Sequence, residues 1–314
     1  MTRPSPGTRE DLRTVLRGGV PAKVPHFELV FQLEQEAFGL RWPGWEEIVK
    51  ASPAERDRLR ERYFSIWEAI LDRYGWSAVQ IPETLGGFYA GELVREAKDR
   101  FGDRALVFDF NGDGTFWMPS GHDMLDFYAL FFDSPEEAHA LARRKAADSI
   151  ALARRQAASG ADFIVINSDY GFNAGPFLSP EMFAEFVTPY LAEIVAAIHD
   201  EGIPAILHSD GDLRKILDQL VSTGIDGYQS IDPQGNMDLA QVKKEYGDRL
   251  ILMGNVRTAL LQEPDEALIR DTVRHCLDVG KPGGRYIFST SNCIFAGMPL
   301  ESYEILFDEY CRRA

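Results

Sequence analysis

Short apolar runs separated by longer polar stretches recur eight times along the chain: VPHFELV (24–30), SAVQIP (77–82), RALVFDF (104–110), DFIVIN (162–167), IPAILHS (203–209), DGYQSI (226–231), LILMGN (250–255) and YIFSTS (286–291). They are near-continuously apolar rather than alternating, the pattern of parallel strands buried on both faces. Glycine precedes seven of them, at Gly75, Gly102, Gly160, Gly202, Gly224, Gly247 and Gly284, where a left-handed residue would end the preceding helix. Ser52-Pro53-Ala54-Glu55 and Ser134-Pro135-Glu136-Glu137 offer an N-cap serine, a proline at N1 and a glutamate at N3; Ser179-Pro180 repeats the opening without the glutamate. The alternation predicts eight βα units and hence an α/β fold, a (β/α)8 TIM barrel, since a doubly wound sheet uses five or six. The stretch 31–75, with Trp42, Trp45 and Trp67, is longer than one crossover helix needs and predicts extra helices after the first strand. No linker divides the chain, so a single domain over 1–314 is expected; an open sheet, with some runs as buried helix turns, is the alternative.

Composition narrows the function classes. The 314 residues are 45% hydrophobic and 26% charged, enough to bury a large core. With 49 acidic against 33 basic side chains the formal charge is −16, which repels phosphate backbones and anionic lipid, so nucleic acid and membrane are not expected partners. Three cysteines, Cys276, Cys293 and Cys311, are too few for a disulfide framework and read as free thiols in a reducing compartment. The polar N-terminus lacks the apolar core of a secretory signal, and no window approaches a membrane span. A cytoplasmic protein acting on a small molecule is expected, and a homodimer is compatible with all of this.

Barrel geometry gathers chemistry on the loops that follow the strands. The polar residues there are Glu28, Glu83, Asp109 with Asn111, Asp169 with Tyr170, His208 with Asp210, Gln229, Asn255 with Arg257, and Asn292 with Cys293. Buried polar groups cost free energy unless paired, so this concentration marks a site. Glu28, Glu83, Asp169 and His208 are the candidate acids and bases; Tyr170, Gln229, Asn255, Arg257 and Asn292 are candidates to orient substrate. His208 and Asp210 lie two apart on one strand end, and Cys293 follows the last strand. Imidazole, carboxylate and thiolate together could form a zinc shell with one open position. The alternative is a neutral His208 hydrogen-bonded to Asp210 or substrate, with Cys293 as packing.

LHSDGDLRKILDQLVSTGIDGYQSIDP (207–233), LAQVKKEYGDRLILMGNV (239–256), GGRYIFSTSNCIFAGMPLESY (283–303) and INSDYGFNAGPFLSPEMFAEFVTPYL (166–191) together resemble the uroporphyrinogen decarboxylase superfamily. The resemblance implies the same barrel and two kinds of activity, porphyrinogen decarboxylation and corrinoid-dependent methyl transfer. Decarboxylases of the family carry an arginine-rich segment after the first strand that pairs with the carboxylates of an anionic tetrapyrrole. This chain instead reads PHFELVFQLEQE, with Glu28, Glu34 and Glu36, and only Arg257 at the strand ends could offset them. It also has Pro82-Glu83-Thr84-Leu85 where the family has an aspartate, and Cys293 where it has a histidine. The methyltransferase branch resembles the chain more closely. Its zinc is held by a His-x-Cys pair and a distant Cys, so His208 and Cys293 match two ligands and Asp210 replaces the third. An oxygen ligand makes zinc harder and more Lewis acidic, which suits a substrate oxygen or nitrogen as well as a thiol. The corrinoid carrier motif Asp-x-His-x-x-Gly is missing; the nearest match, Ala197-Ile198-His199-Asp200-Glu201-Gly202, lacks the aspartate, so a separate corrinoid protein is the expected partner. A decarboxylase, or a barrel that only binds a small molecule, stays open as an alternative. Lys281-Pro282-Gly283-Gly284-Arg285 has the look of a phosphate loop, but it precedes a strand and so falls on the face opposite the site.

Overall fold

The computed structural model describes residues 5–81, 92–112 and 114–314. Seven of the eight apolar runs form one parallel sheet: β1 (Ala78–Gln80), β2 (Leu106–Phe110), β3 (Phe163–Asn167), β6 (Ala205–Ser209), β7 (Gly227–Ser230), β8 (Ile251–Val256) and β9 (Tyr286–Thr290). They neighbour one another in that order, with a helix-bearing segment between successive strands. The loop after β3 folds back as a small antiparallel pair, β4 (Gly171–Phe172) with β5 (Gly175–Pro176), which the apolar pattern did not foresee.

The first run differs from expectation. It makes no ladder, only an isolated parallel bridge from His26 to Phe288. Its backbone nevertheless sits between the two sheet edges: Pro25 O accepts from Phe288 N on β9 at 3.0 Å, and His26 O accepts from Ser77 N before β1 at 2.9 Å. Proline has no N–H to give, which shortens any ladder made through it. The sheet is thus a curled, TIM-barrel-like cylinder joined across this seam by single bonds rather than by an eighth full strand.

Helices start and stop largely where the local chemistry indicates. Glu55 accepts from both the Ser52 amide (2.8 Å) and its hydroxyl (2.6 Å) and anchors helix Pro53–Tyr74, which ends on Gly75 at φ 57°. The Ser179 hydroxyl caps Met182 N at 3.2 Å, whereas Ser134 makes no side-chain cap and Gly247 stays right-handed at φ −68°. Three helices follow the first run as expected, Glu34–Phe38, Trp45–Lys50 and Pro53–Tyr74, and Trp42 in the loop between the first two packs on the third, 5.1 Å from Tyr63 and 5.4 Å from Trp67 between centroids. Among the described residues no single helix is long and apolar enough to cross a membrane.

The last helix, Leu300–Arg313, ties the seam to the N-terminus. The buried Tyr310 hydroxyl donates to Val24 O at 2.7 Å and accepts from Gly7 N at 2.9 Å. Replacing Tyr310 by phenylalanine leaves a buried donor and a buried acceptor unpaired, so Tyr310→Phe is expected to lose about 1–3 kcal/mol in urea unfolding. A loss within error would show that the seam does not depend on this bond.

Candidate metal centre at the mouth of the barrel

Parallel register sets His208 on β6 beside Gln229 on β7. Gln229 is buried, and its Nε2 donates to the carbonyls of Thr290 (3.1 Å) and Ser291 (3.2 Å) at the end of β9. That leaves its Oε1 to accept from His208 Nδ1. The proton on Nδ1 leaves Nε2 with its lone pair, the form in which imidazole binds metals. Nε2 faces two carboxylates, Asp169 Oδ1 at 3.5 Å and Asp210 Oδ2 at 4.0 Å.

Ligand-capable atoms of Asp169, His208 and Asp210 lie within 4.8 Å of one another. The loops that carry them are cross-braced: Asp210 N donates to Asp169 Oδ1 at 3.0 Å, and Asn292 Nδ2 donates to Asp210 Oδ2. Burial raises the Asp210 carboxyl above its ordinary value; a protonated His208 would pull the other way, the Ser230 hydroxyl lowers it, and Asp169 and Asp232 add to the rise. Asp210 Oδ1 and the neighbouring Ser230 hydroxyl are buried, close enough to interact with each other but outside ordinary hydrogen-bond geometry. A desolvated acid with a poorly paired oxygen, beside a second acid and an imidazole lone pair, is a donor set that a divalent cation fits. Exposure grades across the three, from 12% for the His208 side chain through 20% for Asp210 to 44% for Asp169, so the cluster opens on its Asp169 side.

The described metal-capable group does not contain Cys293, the third ligand expected from sequence; Asp169, read from sequence as an acid or base, stands in it. Burial pushes the Cys293 thiol up to about 11, and the charges of Asp210, Glu28 and Asp169 add to the rise. Asn292 does reach the cluster, and its own Oδ1 accepts from Cys293 N at 2.5 Å.

Other expected site residues serve the scaffold. The Tyr170 ring is fully buried against Phe177 and Phe183, with its hydroxyl 3.3 Å from Thr115 Oγ1. Asn255 is held by Ile231 O at 2.9 Å and by the Cys276 thiol at 3.5 Å. Asp109 and Asn111 clasp Gln156 of helix Pro135–Ala158 at 2.9 and 3.1 Å. Arg257 is exposed at the end of β8 and has no ion pair with another described residue. Glu83 lies outside the described residues. Asp232, which the strand-end survey passed over, braces the site by accepting from Gly211 N at 3.2 Å. It stands two residues past β7 in QSIDP, one step beyond the window that was read as a strand end.

Glu28 is 1% exposed, and its Oε2 accepts from Thr290 N (3.0 Å) and Thr290 Oγ1 (2.7 Å). Burial outweighs these bonds and pushes its carboxyl up to about 8, while burial pushes the adjacent His26 down to about 4. The 3.9 Å contact between them therefore joins two neutral groups and is no ion pair. His26 is a core residue, held by Phe288 O at 2.9 Å and the Tyr303 hydroxyl at 3.1 Å. A hollow of about 350 Å³ flanks this strand end, walled by Trp42, Trp45, Tyr63 and Trp67 with Gln80 and the backbone that follows Glu28.

Parallel strands with a cation-ready acid–imidazole cluster at their C-terminal ends define a barrel enzyme of the TIM type. The chain belongs to the uroporphyrinogen decarboxylase (URO-D) family, whose profile matches residues 117–312. It is 29% identical over 227 residues to a uroporphyrinogen decarboxylase of Vesicomyosocius okutanii, covering 70% of this chain and 63% of that protein. Against the chloroplastic uroporphyrinogen decarboxylase 2 of Arabidopsis thaliana it is 29% identical over 234 residues, covering 70% and 55%. The chain thus spans just over half to five eighths of the length of these relatives. A methyltransferase from Methanosarcina mazei shares the fold over 98% of this chain and 99% of its own, with a TM-score of 0.73 at 16% identity.

The raised Glu28 carboxyl carries a pH signature. The folded chain keeps this proton up to about 8, whereas the unfolded chain gives it up near the ordinary 4.5. Folding therefore binds a proton across that window, and stability falls as pH rises through it, by at most about 1.4 kcal/mol per unit. Glu28→Gln is expected to flatten the fall between pH 5 and 8, read as melting temperature against pH. An unchanged slope would place the titration elsewhere.

Proposed function

We propose that this chain transfers a methyl group between a small organic substrate and a corrinoid carried by a partner protein, using a zinc ion held by His208, Asp210 and Asp169. The observation that carries the reading is the His208 Nε2 lone pair, set by Gln229 and aimed at two carboxylates. Zinc there would supply a Lewis acid to a substrate heteroatom. The chain's own groups do the remaining work. Gln229 keeps His208 in one tautomer, and Asn292 holds Asp210 in place from the opposite strand end. Asp169, the most open of the three, places its side of the centre toward the solvent, where substrate would approach. The aromatic hollow beside Glu28 offers an apolar wall for the organic part. A mouth lined with carboxylates favours a neutral or cationic substrate, such as a methylated amine or ether.

A second reading, decarboxylation of a carboxylated substrate, draws support from the named activities of the relatives and from the exposed Arg257, which could clamp a carboxylate. Against a polyanionic tetrapyrrole stand Glu28, Glu34 and Glu36 in place of an arginine-rich segment. Placement in the cytosol accords with a chain that has only three cysteines in 314 residues, too few for a disulfide framework.

Elemental analysis of the purified protein is expected to find roughly one zinc per chain. His208→Ala and Asp210→Ala should lose it, whereas Cys293→Ala should keep it. Loss of metal in Cys293→Ala alone would restore the thiol to the ligand set and remove Asp169 from it.

Methyl transfer is expected only when a corrinoid protein is added, because the sequence contains no Asp-x-His-x-x-Gly motif. His208→Ala should abolish it while leaving the melting temperature within a few degrees. Carbon dioxide release from uroporphyrinogen well above a blank would favour the second reading instead.

A further inference from the structure

At the opposite, N-terminal end of the strands lies a hollow of about 540 Å³ that the reaction has no use for. Three arginines from three separate segments line it: Arg17 after helix Arg9–Leu16, Arg249 ahead of β8 and Arg285 ahead of β9. None makes a side-chain hydrogen bond or ion pair with another described residue. Elsewhere in the molecule Arg62, Arg73, Arg100, Arg104, Arg270 and Arg274 each pair with a carboxylate. The one carboxylate lining the hollow, Asp226, is already engaged, its Oδ2 accepting from His199 Nε2 and Ala205 N, both at 2.8 Å.

The arrangement is built rather than incidental. The Arg249 guanidinium stacks 5.1 Å from the centre of the Tyr246 ring. Gly18, at φ 76°, leaves room for Arg285: a Cβ there would lie 2.6 Å from Nη2. Arg285 itself follows two left-handed glycines and is left-handed at φ 51°, so the Lys281–Arg285 loop turns sharply before β9. Three like charges around one hollow repel each other, and in a chain of net charge −16 they would be cheaper dispersed among the surplus acids. A guanidinium fork matches the tetrahedral oxygens of a phosphate, three of the lining residues carry one, and the hollow exceeds what a single phosphate fills.

We propose that Arg17, Arg249 and Arg285 form a binding site for a diphosphate-bearing small molecule, on the face opposite the metal centre. The site needs neither zinc nor methyl transfer, so its test is a binding measurement on the full chain. Titration calorimetry with inorganic phosphate, pyrophosphate and ADP is expected to show saturable pyrophosphate binding about tenfold tighter than phosphate, weakening as sodium chloride is added. Arg17→Ala and Arg249→Ala, both exposed side chains outside the core, should each weaken pyrophosphate binding by about tenfold while leaving the melting temperature unchanged. ADP binding tighter than pyrophosphate would extend the site to a nucleotide, and equal binding would confine it to the diphosphate; both support the assignment. Absence of saturable heat with pyrophosphate and ADP alike would overturn it. So would undiminished binding in the Arg17→Ala, Arg249→Ala double variant.

Discussion

One buried carboxamide organises the mouth of this barrel. Gln229 spends its donor end on the carbonyls at the end of β9 and its acceptor end on His208, so a single side chain on β7 links β6 to β9. Rotating the amide would set its oxygen against two carbonyls and its N–H groups against a ring N–H, leaving buried groups unsatisfied on both sides. The histidine tautomer is therefore set by main-chain carbonyls three strands into the sheet, and the direction of its lone pair follows. The two aspartates answer to the same geometry, because the loop after β6 that carries Asp210 is braced to the loop after β3 through Asp169.

Two kinds of buried acid coexist within this end of the barrel. Glu28 resolves its burial by keeping its proton, with Thr290 donating to it and a neutral His26 alongside. Asp210 has a weaker resolution among the described residues: one oxygen accepts from Asn292, the other has only the Ser230 hydroxyl nearby, outside ordinary hydrogen-bond geometry, and Asp169 and Asp232 add negative potential. Proton retention serves the first acid, whereas a bound cation would serve the second. That contrast is why the cluster reads as a metal centre and Glu28 as part of the frame that holds Thr290.

The seam at Pro25 and His26 links frame to function. Its backbone bonds to Phe288 and Ser77 hold the two sheet edges together, and the same segment continues into Glu28 and the wall of the aromatic hollow. Trp76 Nε1 donates to the Tyr303 hydroxyl at 3.1 Å, and that hydroxyl meets His26 Nε2 at the same distance, so the last helix is stitched to the seam by groups that stay neutral. A neutral network suits a joint that must not repel or attract the charges of the mouth.

The repeating apolar runs and their glycine and Ser-Pro punctuation determined the barrel class, the parallel sheet, the helices after the first run and the strand ends where His208, Asp210, Asp169 and Gln229 stand, because period, propensity and capping are local properties of the chain. Tertiary structure alone decided which strand-end groups meet. Spacing along the chain pointed to Cys293 as a ligand, whereas distance in space groups Asp169 with His208 and Asp210, the loop after β3 being braced to the loop after β6 by the Asp210 amide. Tyr170 and Asn255 occupy the predicted strand ends and still face the scaffold, since a side chain next to a strand end turns inward or outward according to packing that no single segment encodes. The meeting of Arg17, Arg249 and Arg285 was equally invisible in sequence: Arg17 and Arg249 stand 232 positions apart, and only the curl of the sheet brings their loops to one face.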